Sequence, residues 1–535
     1  MSNTNQSFDY VVVGGGTAGS ILANRLTANG RYSVLLLEAG GQGKGFWIPI
    51  PAGFSKLLTN PKFNWRFSTA PEESTLNRVI AVPRGKGLGG STLINGMIYV
   101  RGQAQDYDHW AELGASGWDF QSVEPYFRKL ENYAQGGEGR GTDGPMHICE
   151  VSERHTLSTA LLDAAQQAGH PLNADYNSGD QEGFGYYQVA QHKGRRWSVV
   201  DGYLAPAQQR SGLTVRTDAH VLNLELDEQK RCTGVRYVHN GQTVTVNAKA
   251  EVILAAGAVQ TPQILELSGI GKPEVLQNIG VPVRHALEGV GENYIDHFCT
   301  RMNWRVKGTD SLNELTRGLS LVSAVGQYFT RRTGILTLGT GLAFGFVKSR
   351  PELTAPDVQY FFMHASYANA AERKLDKLPG MTLGVAQLRP KSQGSIHAQS
   401  SDPYMQPAIK PNFLAVQEDQ DSLIGGMQVA RNIMAQPAMS RYVEQEMAPG
   451  SAVQSHADWL RFARENGQTI YHPIGTCRMG TDDNAVVDPS LKVRGLQGLR
   501  IVDASVMPAM VSGNTQAAVM MVAEKGADLI LKDAR

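Results

Sequence analysis

Apolar and polar positions follow two periods along this chain, and the first forty residues contain both. Tyr10 to Val13 is an unbroken apolar run stopped by glycine, as expected of a strand buried on both faces. Thr17 to Leu26 carries its apolar residues at helical spacing, and Ser33 to Leu37 is apolar again. Strand, glycine-rich turn, helix and strand make the βαβ unit of a parallel sheet with a right-handed crossover. Later, Leu213 to Leu226 and Thr243 to Ala256 favour strands, the second ending in an apolar run before Gly257. From about 306 to 463 the texture changes. Val358 to Met363 and Met381 to Leu388 read as strands of an antiparallel sheet, broken by Pro and Gly turns. Leu499 to Asp503 predicts a further buried strand and Thr515 to Leu531 a closing helix; no internal repeat is visible. The expected fold is α/β: a doubly wound, Rossmann-like domain from residues 1–155, 205–305 and 465–535, and a second, α+β domain from 156–204 and 306–464 on the antiparallel sheet.

A chain of 535 residues exceeds what one hydrophobic core supports, which agrees with two domains. Lys plus Arg and Asp plus Glu number 50 each, so no global field draws the protein to nucleic acid, and a small molecule is the expected partner. Cys149, Cys232, Cys299 and Cys477 stand singly, without the spacing of a zinc site or disulfide framework, and predict buried thiols in a reducing compartment. No signal peptide and no spanning helix are predicted, which makes the cytoplasm the expected compartment. An enzyme passing electrons to a quinone needs only a modest apolar patch to sit peripherally on the inner membrane.

Chemistry enters with the glycines. Gly14-Gly15-Gly16-Thr17-Ala18-Gly19 fits G-x-G-x-x-G between strand and helix, where bare backbone can approach a pyrophosphate at a helix N-terminus. Glu38, twenty-two residues beyond Gly16, ends the second strand where a carboxylate can accept from an adenosine ribose, with Ala39 beside it. The alternative is a merely tight structural turn, and the motif does not separate NAD from FAD. Gly85 to Gly96 is a second glycine-rich segment, long enough to lay backbone amides along a flat ligand. With its continuation through Tyr99, Gly102 and Asp108, it resembles the first signature of the glucose-methanol-choline (GMC) oxidoreductases. Gly257 to Gly271 resembles their second signature. The resemblance continues through Gly289 to Asn293 with Asp296-His297, through Tyr471-His472-Pro473, and through Gly513-Asn514, leaving only about 306 to 380 poorly anchored.

That resemblance implies FAD, held by Gly14, Gly16, Thr17, Ala18, Gly19, Glu38, Ala39, Gly89, Ser91, Asn95, Gly96, Met97, Val221, Ala256, Asp503, Ala504, Thr515 and Gln516. Asp503 reads equally as a helix cap and Val221 as a core valine. Some family members attach FAD through a histidine just before the asparagine of the first signature. Ile94 fills that place, so non-covalent FAD is expected. The resemblance also implies two catalytic residues. His472 is expected before the flavin as the base that removes a hydroxyl proton, since an imidazole titrates near working pH and Pro473 restrains the backbone before it. Asn514 is expected to donate to the substrate oxygen, although Gly513-Asn514 also reads as a turn. His297 and His364 read as packing or surface residues. Tyr471 and Trp65 line a pocket or simply fill the core.

The reaction expected is an FAD-dependent alcohol dehydrogenase of the choline dehydrogenase-like branch. Hydride passes from the alcohol carbon to flavin N5, an aldehyde or ketone forms, and a quinone or similar acceptor takes the electrons. An oxidase producing hydrogen peroxide from oxygen is the close alternative. A hydroxynitrile lyase on the same scaffold, a flavin-binding protein without turnover and a nicotinamide enzyme are the more distant ones. The motifs do not choose the alcohol.

Overall fold

The computed structural model describes residues 6–369 and 374–534. Its first sheet runs in the order Leu213–Arg216, Val34–Leu37, Gln6–Val13, Gln242–Leu254, Cys232–His239, Ala219–Leu226, with Leu499–Ile501 beside the end of Gln242–Leu254. The pairs around Gln6–Val13 are parallel, in the register Val11 to Leu35 and Val11 to Val252. Val11, Val12, Leu35, Leu36, Ile253 and Leu254 are wholly buried, because helices cover both faces of a parallel core and leave no polar side. In this sheet the strand Cys232–His239 was absent from the sequence expectation; it forms an antiparallel hairpin with Gln242–Leu254.

The helix Thr17–Leu26 packs along the closing helix Gln516–Asp533, so the two ends of the described chain share one core. Gly19 is required there: a Cβ on it would stand 1.8 Å from the Gly14 carbonyl oxygen, pushing the helix off its strand.

The second sheet is antiparallel, in the order Val443–Ala448, Phe298–Val306, Gly380–Gln387, Val358–Met363, Ala343–Val347, Gly183–Tyr186, with Gln468–Thr469 at the start of Phe298–Val306. Strand alternation gives this sheet two faces. Met302, Trp304, Leu383, Val385, Tyr360 and Phe362 point into a core covered by the helix Gln417–Ala435. Cys299, Arg301, Gln359, Phe361, Thr382 and Gly384 share the other face, which looks toward the first domain. The division expected at 305–306 therefore moves, since Phe298–Val306 lies wholly in the second sheet and Gln468–Thr469 joins it there. Among the described residues no helix is long and apolar enough to cross a membrane, and all four cysteines are free thiols.

Candidate active site

A cavity of about 1210 Å³ opens where Val13, Leu37 and Ala255 end their parallel strands, the usual ligand position in such sheets. Three helices begin at its rim: Thr17–Leu26, Gly257–Leu267 and Gln516–Asp533. None has a side-chain cap or an acidic residue in its first turn. Gly257 N is taken by Asp503, but the other first-turn N–H groups and three positive dipole ends converge on one space, which suits a pyrophosphate. Gly16 lines this space, and a Cβ there would meet no protein atom nearer than Gly90 Cα at 3.9 Å.

Glu38 ties the two glycine-rich segments together. Its Oε2 accepts from Gly15 N at 2.8 Å, and its Oε1 from Gly40 N at 2.7 Å and Gly87 N at 3.0 Å. Burial raises its pKa against those three stabilising bonds. A carboxylate offers about four acceptor positions, so one remains for a sugar hydroxyl. Thr17, Ala18, Ala39, Val221, Ala256, Ala504, Thr515 and Gln516 line the same cavity. Gly19 and Gly89 do not: Gly19 packs the helix, and Gly89 N donates to Gly15 O at 2.8 Å, clasping the turn from behind. Asp503 also lines the cavity, with both oxygens engaged. Oδ2 accepts from Gly257 N and Thr261 Oγ1 at 2.8 and 2.6 Å, while Oδ1 caps the turn Ala504–Val506 through Ser505 N at 2.8 Å.

A second cavity of about 1190 Å³ adjoins the first, and Arg84, Ser91, Thr515 and Gln516 border both. Asn95, Gly96 and Met97 form one wall, with Met97 at φ +65°. The cavity face of the antiparallel sheet forms the floor, and His472 and Asn514 look in together.

A chain of hydrogen bonds fixes the chemistry of that pair. The Leu388 carbonyl can only accept, so His297 Nε2, 3.0 Å away, carries the proton. Neutral His297 then presents a bare Nδ1, which accepts from His472 Nδ1–H at 2.9 Å. The lone pair of His472 is thereby placed on Nε2. Asn514 Nδ2 donates to it at 3.1 Å. The Asn514 amide cannot turn over freely, because its Oδ1 accepts from Gln359 Nε2 at 3.2 Å. Gln359 Nε2 also donates at 3.0 Å to the Tyr187 hydroxyl, which donates in turn to Tyr360 O at 2.8 Å. Both ends are backbone carbonyls, and the Gln359 NH₂ is the one group that donates in both directions.

Backbone restraints hold the base in place. His472 N donates to Asp296 Oδ1 at 2.8 Å, and the other Asp296 oxygen accepts from Tyr294 and Thr469 hydroxyls at 2.9 and 2.5 Å. Tyr471 sits at φ +74°, an uncommon left-handed conformation for a tyrosine, kept by Thr469 Oγ1 on its N–H and Arg84 Nη1 on its carbonyl, both at 2.7 Å. Burial, then the neighbouring charges of His297 and Arg84, holds the His472 pKa well below the ordinary imidazole value. Burial lowers His297 to about 4 and raises Asp296 to about 6. The arrangement is a neutral imidazole whose one lone pair meets the Asn514 amide at the edge of an enclosed space.

His297 is buried, as its reading as a packing residue implies, yet it also sets the tautomer of His472, a contact across 175 residues that sequence order does not disclose. Gln359 was missed as well; its signal was a polar residue in the apolar strand Val358 to Met363. His364 stacks on His155 at 4.1 Å, away from the pair. Tyr471 lines the second cavity and Trp65 the first, stacked on Phe67.

Comparison with known proteins agrees with this architecture. Two profiles described as GMC oxidoreductase match residues 8–299 and 390–523. An alcohol dehydrogenase [acceptor] of Pseudomonas putida is 39% identical over 533 residues, covering 98% of this chain and 96% of that protein. An oxygen-dependent choline dehydrogenase of Photobacterium profundum is likewise 39% identical, over 98% of this chain and 93% of its own. The crystal structure of pyridoxine 4-oxidase from Mesorbium loti superposes with a TM-score of 0.88 at 27% identity, covering 97% of this chain and 98% of that one. A doubly wound domain with three open helix ends, joined to an antiparallel sheet that carries the floor of a second cavity, thus belongs to an enzyme of the GMC oxidoreductase family, FAD-dependent and acting on CH–OH groups.

Proposed function

We propose that this protein is an alcohol dehydrogenase in which His472 Nε2 removes the hydroxyl proton of an alcohol held in the second cavity. An alcohol oxygen that enters between His472 and Asn514 accepts from Asn514 Nδ2 and donates to His472 Nε2. As the O–H proton moves to Nε2, electron density from oxygen forms the carbonyl, and the carbinol hydrogen leaves with its electron pair. Asn514 stabilises the negative charge that builds on that oxygen. Bound FAD supplies the acceptor for this hydride. The observation that carries the reading is the hydrogen-bond chain from Leu388 to Tyr360, which leaves Nε2 as the bare nitrogen. The depressed pKa of His472 supports it, because a ring that resists protonation keeps its lone pair.

Gly14, Gly16, Thr17, Ala18, Glu38, Ala39, Val221, Ala256, Asp503 and Ala504 hold the dinucleotide in the first cavity; Ser91, Thr515 and Gln516 border both. Asn95, Gly96 and Met97 stand beside the reactive ring. Ile94 offers no nucleophile for a covalent link, so acid denaturation should release all the yellow chromophore into the supernatant. The electrons pass on to a quinone or similar acceptor rather than to oxygen, in keeping with the name of the Pseudomonas putida relative.

The test is anaerobic bleaching of the bound flavin by an alcohol, followed by air and then a soluble quinone. Bleaching that persists in air and reverses with quinone supports the dehydrogenase. Rapid recovery in air with peroxide supports an oxidase, and no bleaching by any alcohol refutes the reading. The His472→Ala protein should bleach about 10²- to 10⁴-fold more slowly.

A further inference from the structure

The chemistry of the second cavity's lining points to a substrate class. Among the described residues its wall contains no carboxylate, while Arg84 and Arg301 both border it. Arg84 is committed, donating to Tyr471 O at 2.7 Å and Ser91 Oγ at 2.8 Å. The Arg301 guanidinium makes no hydrogen bond or ion pair among the described residues. Three buried arginines here are matched by carboxylates, Arg101 with Glu131, Arg140 with Glu131 and Asp175, and Arg500 with Glu251, while buried Arg196 is held by the Ile48 and Thr92 carbonyls and Asn95 Oδ1. A guanidinium facing a cavity without a partner is a planar fork suited to two oxygens of one anion.

Its place on the sheet is defined by register. Cys299, Ala386 and Gln359 form one row across three strands, and Gln359 holds Asn514. Arg301, Gly384 and Phe361 form the next row, about 7 Å further along the strands. Gly384 has no side chain, so the floor between Arg301 and Phe361 is open, with the Phe361 ring as an apolar wall. Resting on the dehydrogenase reading above, we propose that Arg301 determines specificity, and that the enzyme oxidises an alcohol bearing a carboxylate. The carbinol lies at His472 and Asn514 and the carboxylate on Arg301. Choline, the alcohol named in the Photobacterium relative, would bring a permanent cation to a wall with two guanidiniums, of which Asp296 behind the wall balances Arg84 but none of the described lining residues balances Arg301.

The holoenzyme is tested with three probes: 4-(hydroxymethyl)benzoate, its neutral isostere 4-(hydroxymethyl)benzamide, and choline, each by anaerobic stopped-flow flavin bleaching. The benzoate is expected to exceed the amide in reduction rate over Kd by about 30- to 100-fold. In Arg301→Met that ratio falls to near one, mainly through Kd, and Arg301→Lys recovers part of it. The yellow spectrum of each variant reports that it has folded around FAD. Calorimetry with 4-methylbenzoate, which has no carbinol to oxidise, reads the anion subsite without turnover. Choline bleaching as efficiently as the benzoate, or a benzoate preference that survives in Arg301→Met, overturns the assignment. If no alcohol bleaches the flavin, the dehydrogenase reading fails. Binding of 4-methylbenzoate that depends on Arg301 would then still support the anion subsite, and its absence would end that too.

Discussion

Replacing His297 by phenylalanine tests whether the lone pair of His472 is placed by a neighbour that never meets the substrate. His297 is wholly buried, and its Nδ1 is the acceptor for His472 Nδ1–H at 2.9 Å. A phenyl ring fills similar space and accepts nothing. Leaving a buried donor unsatisfied costs about 1–3 kcal/mol, and once an alcohol oxygen lies between His472 and Asn514 to accept from both, His472 can avoid that cost by moving its proton to Nε2. At about 2 kcal/mol, roughly one ring in thirty keeps the reactive tautomer, so flavin reduction at saturating alcohol should slow about 30-fold. Asparagine can set an oxygen near the place of Nδ1, so His297→Asn should regain most of the rate, which a purely structural role does not predict. The assay is anaerobic stopped-flow bleaching of protein with full FAD content. Wild-type speed in His297→Phe, or equal losses in the phenylalanine and asparagine variants, would refute the tautomer argument.

Three further outcomes follow from the same geometry. Gly16→Leu should fold yet purify without yellow colour, because the added side chain meets open cavity rather than protein; a normal flavin spectrum would contradict this. Acid should destabilise the protein from about pH 6.5 downward, since the unfolded chain takes up imidazole protons there while His297, held to about 4, and His472, held still lower than ordinary, refuse them. Each ring contributes a slope of up to about 1.4 kcal/mol per pH unit. Asp296, raised to about 6, gains its proton in the folded state first and offsets part of that slope. Melting temperatures from pH 7 to 4 check the net fall. In the alkaline direction, burial of His397 opposes its charge, but hydrogen bonds with Glu266 and Glu292 prevail and raise it to about 9. Its stabilisation is therefore complete below about 6.5 and is lost as pH rises through 9, which His397→Gln should flatten.

The parallel core was legible in the sequence because its signals are local: an apolar run, a glycine turn and a helical period within thirty residues. The strands Val358–Met363 and Gly380–Gln387 were legible for the same reason. What the sequence withheld is what depends on distant partners. His297 looked like any buried histidine because its meaning lies in an atom 175 positions away. Gln359 is one polar residue in an apolar strand, and only the register that turns it toward Asn514 gives it a task. Arg301 reads like any strand arginine; that no described residue of the cavity wall is acidic becomes visible only when the walls around it are assembled. Glu38 stood where an acid was expected, but its three backbone donors come from turns whose closeness only the fold creates.

The three helix starts around the first cavity carry no side-chain cap of their own, which leaves part of their hydrogen bonding to whatever fills that space. On the proposed placement FAD would meet the amides of three helix starts, one of them already bonded in part to Asp503, and would be a structural member as much as a reagent. By mass action, each tenfold rise in free nucleotide above its dissociation constant adds about 1.4 kcal/mol to the folded state. A fall in free nucleotide would therefore lower the folded fraction of the protein along with its activity.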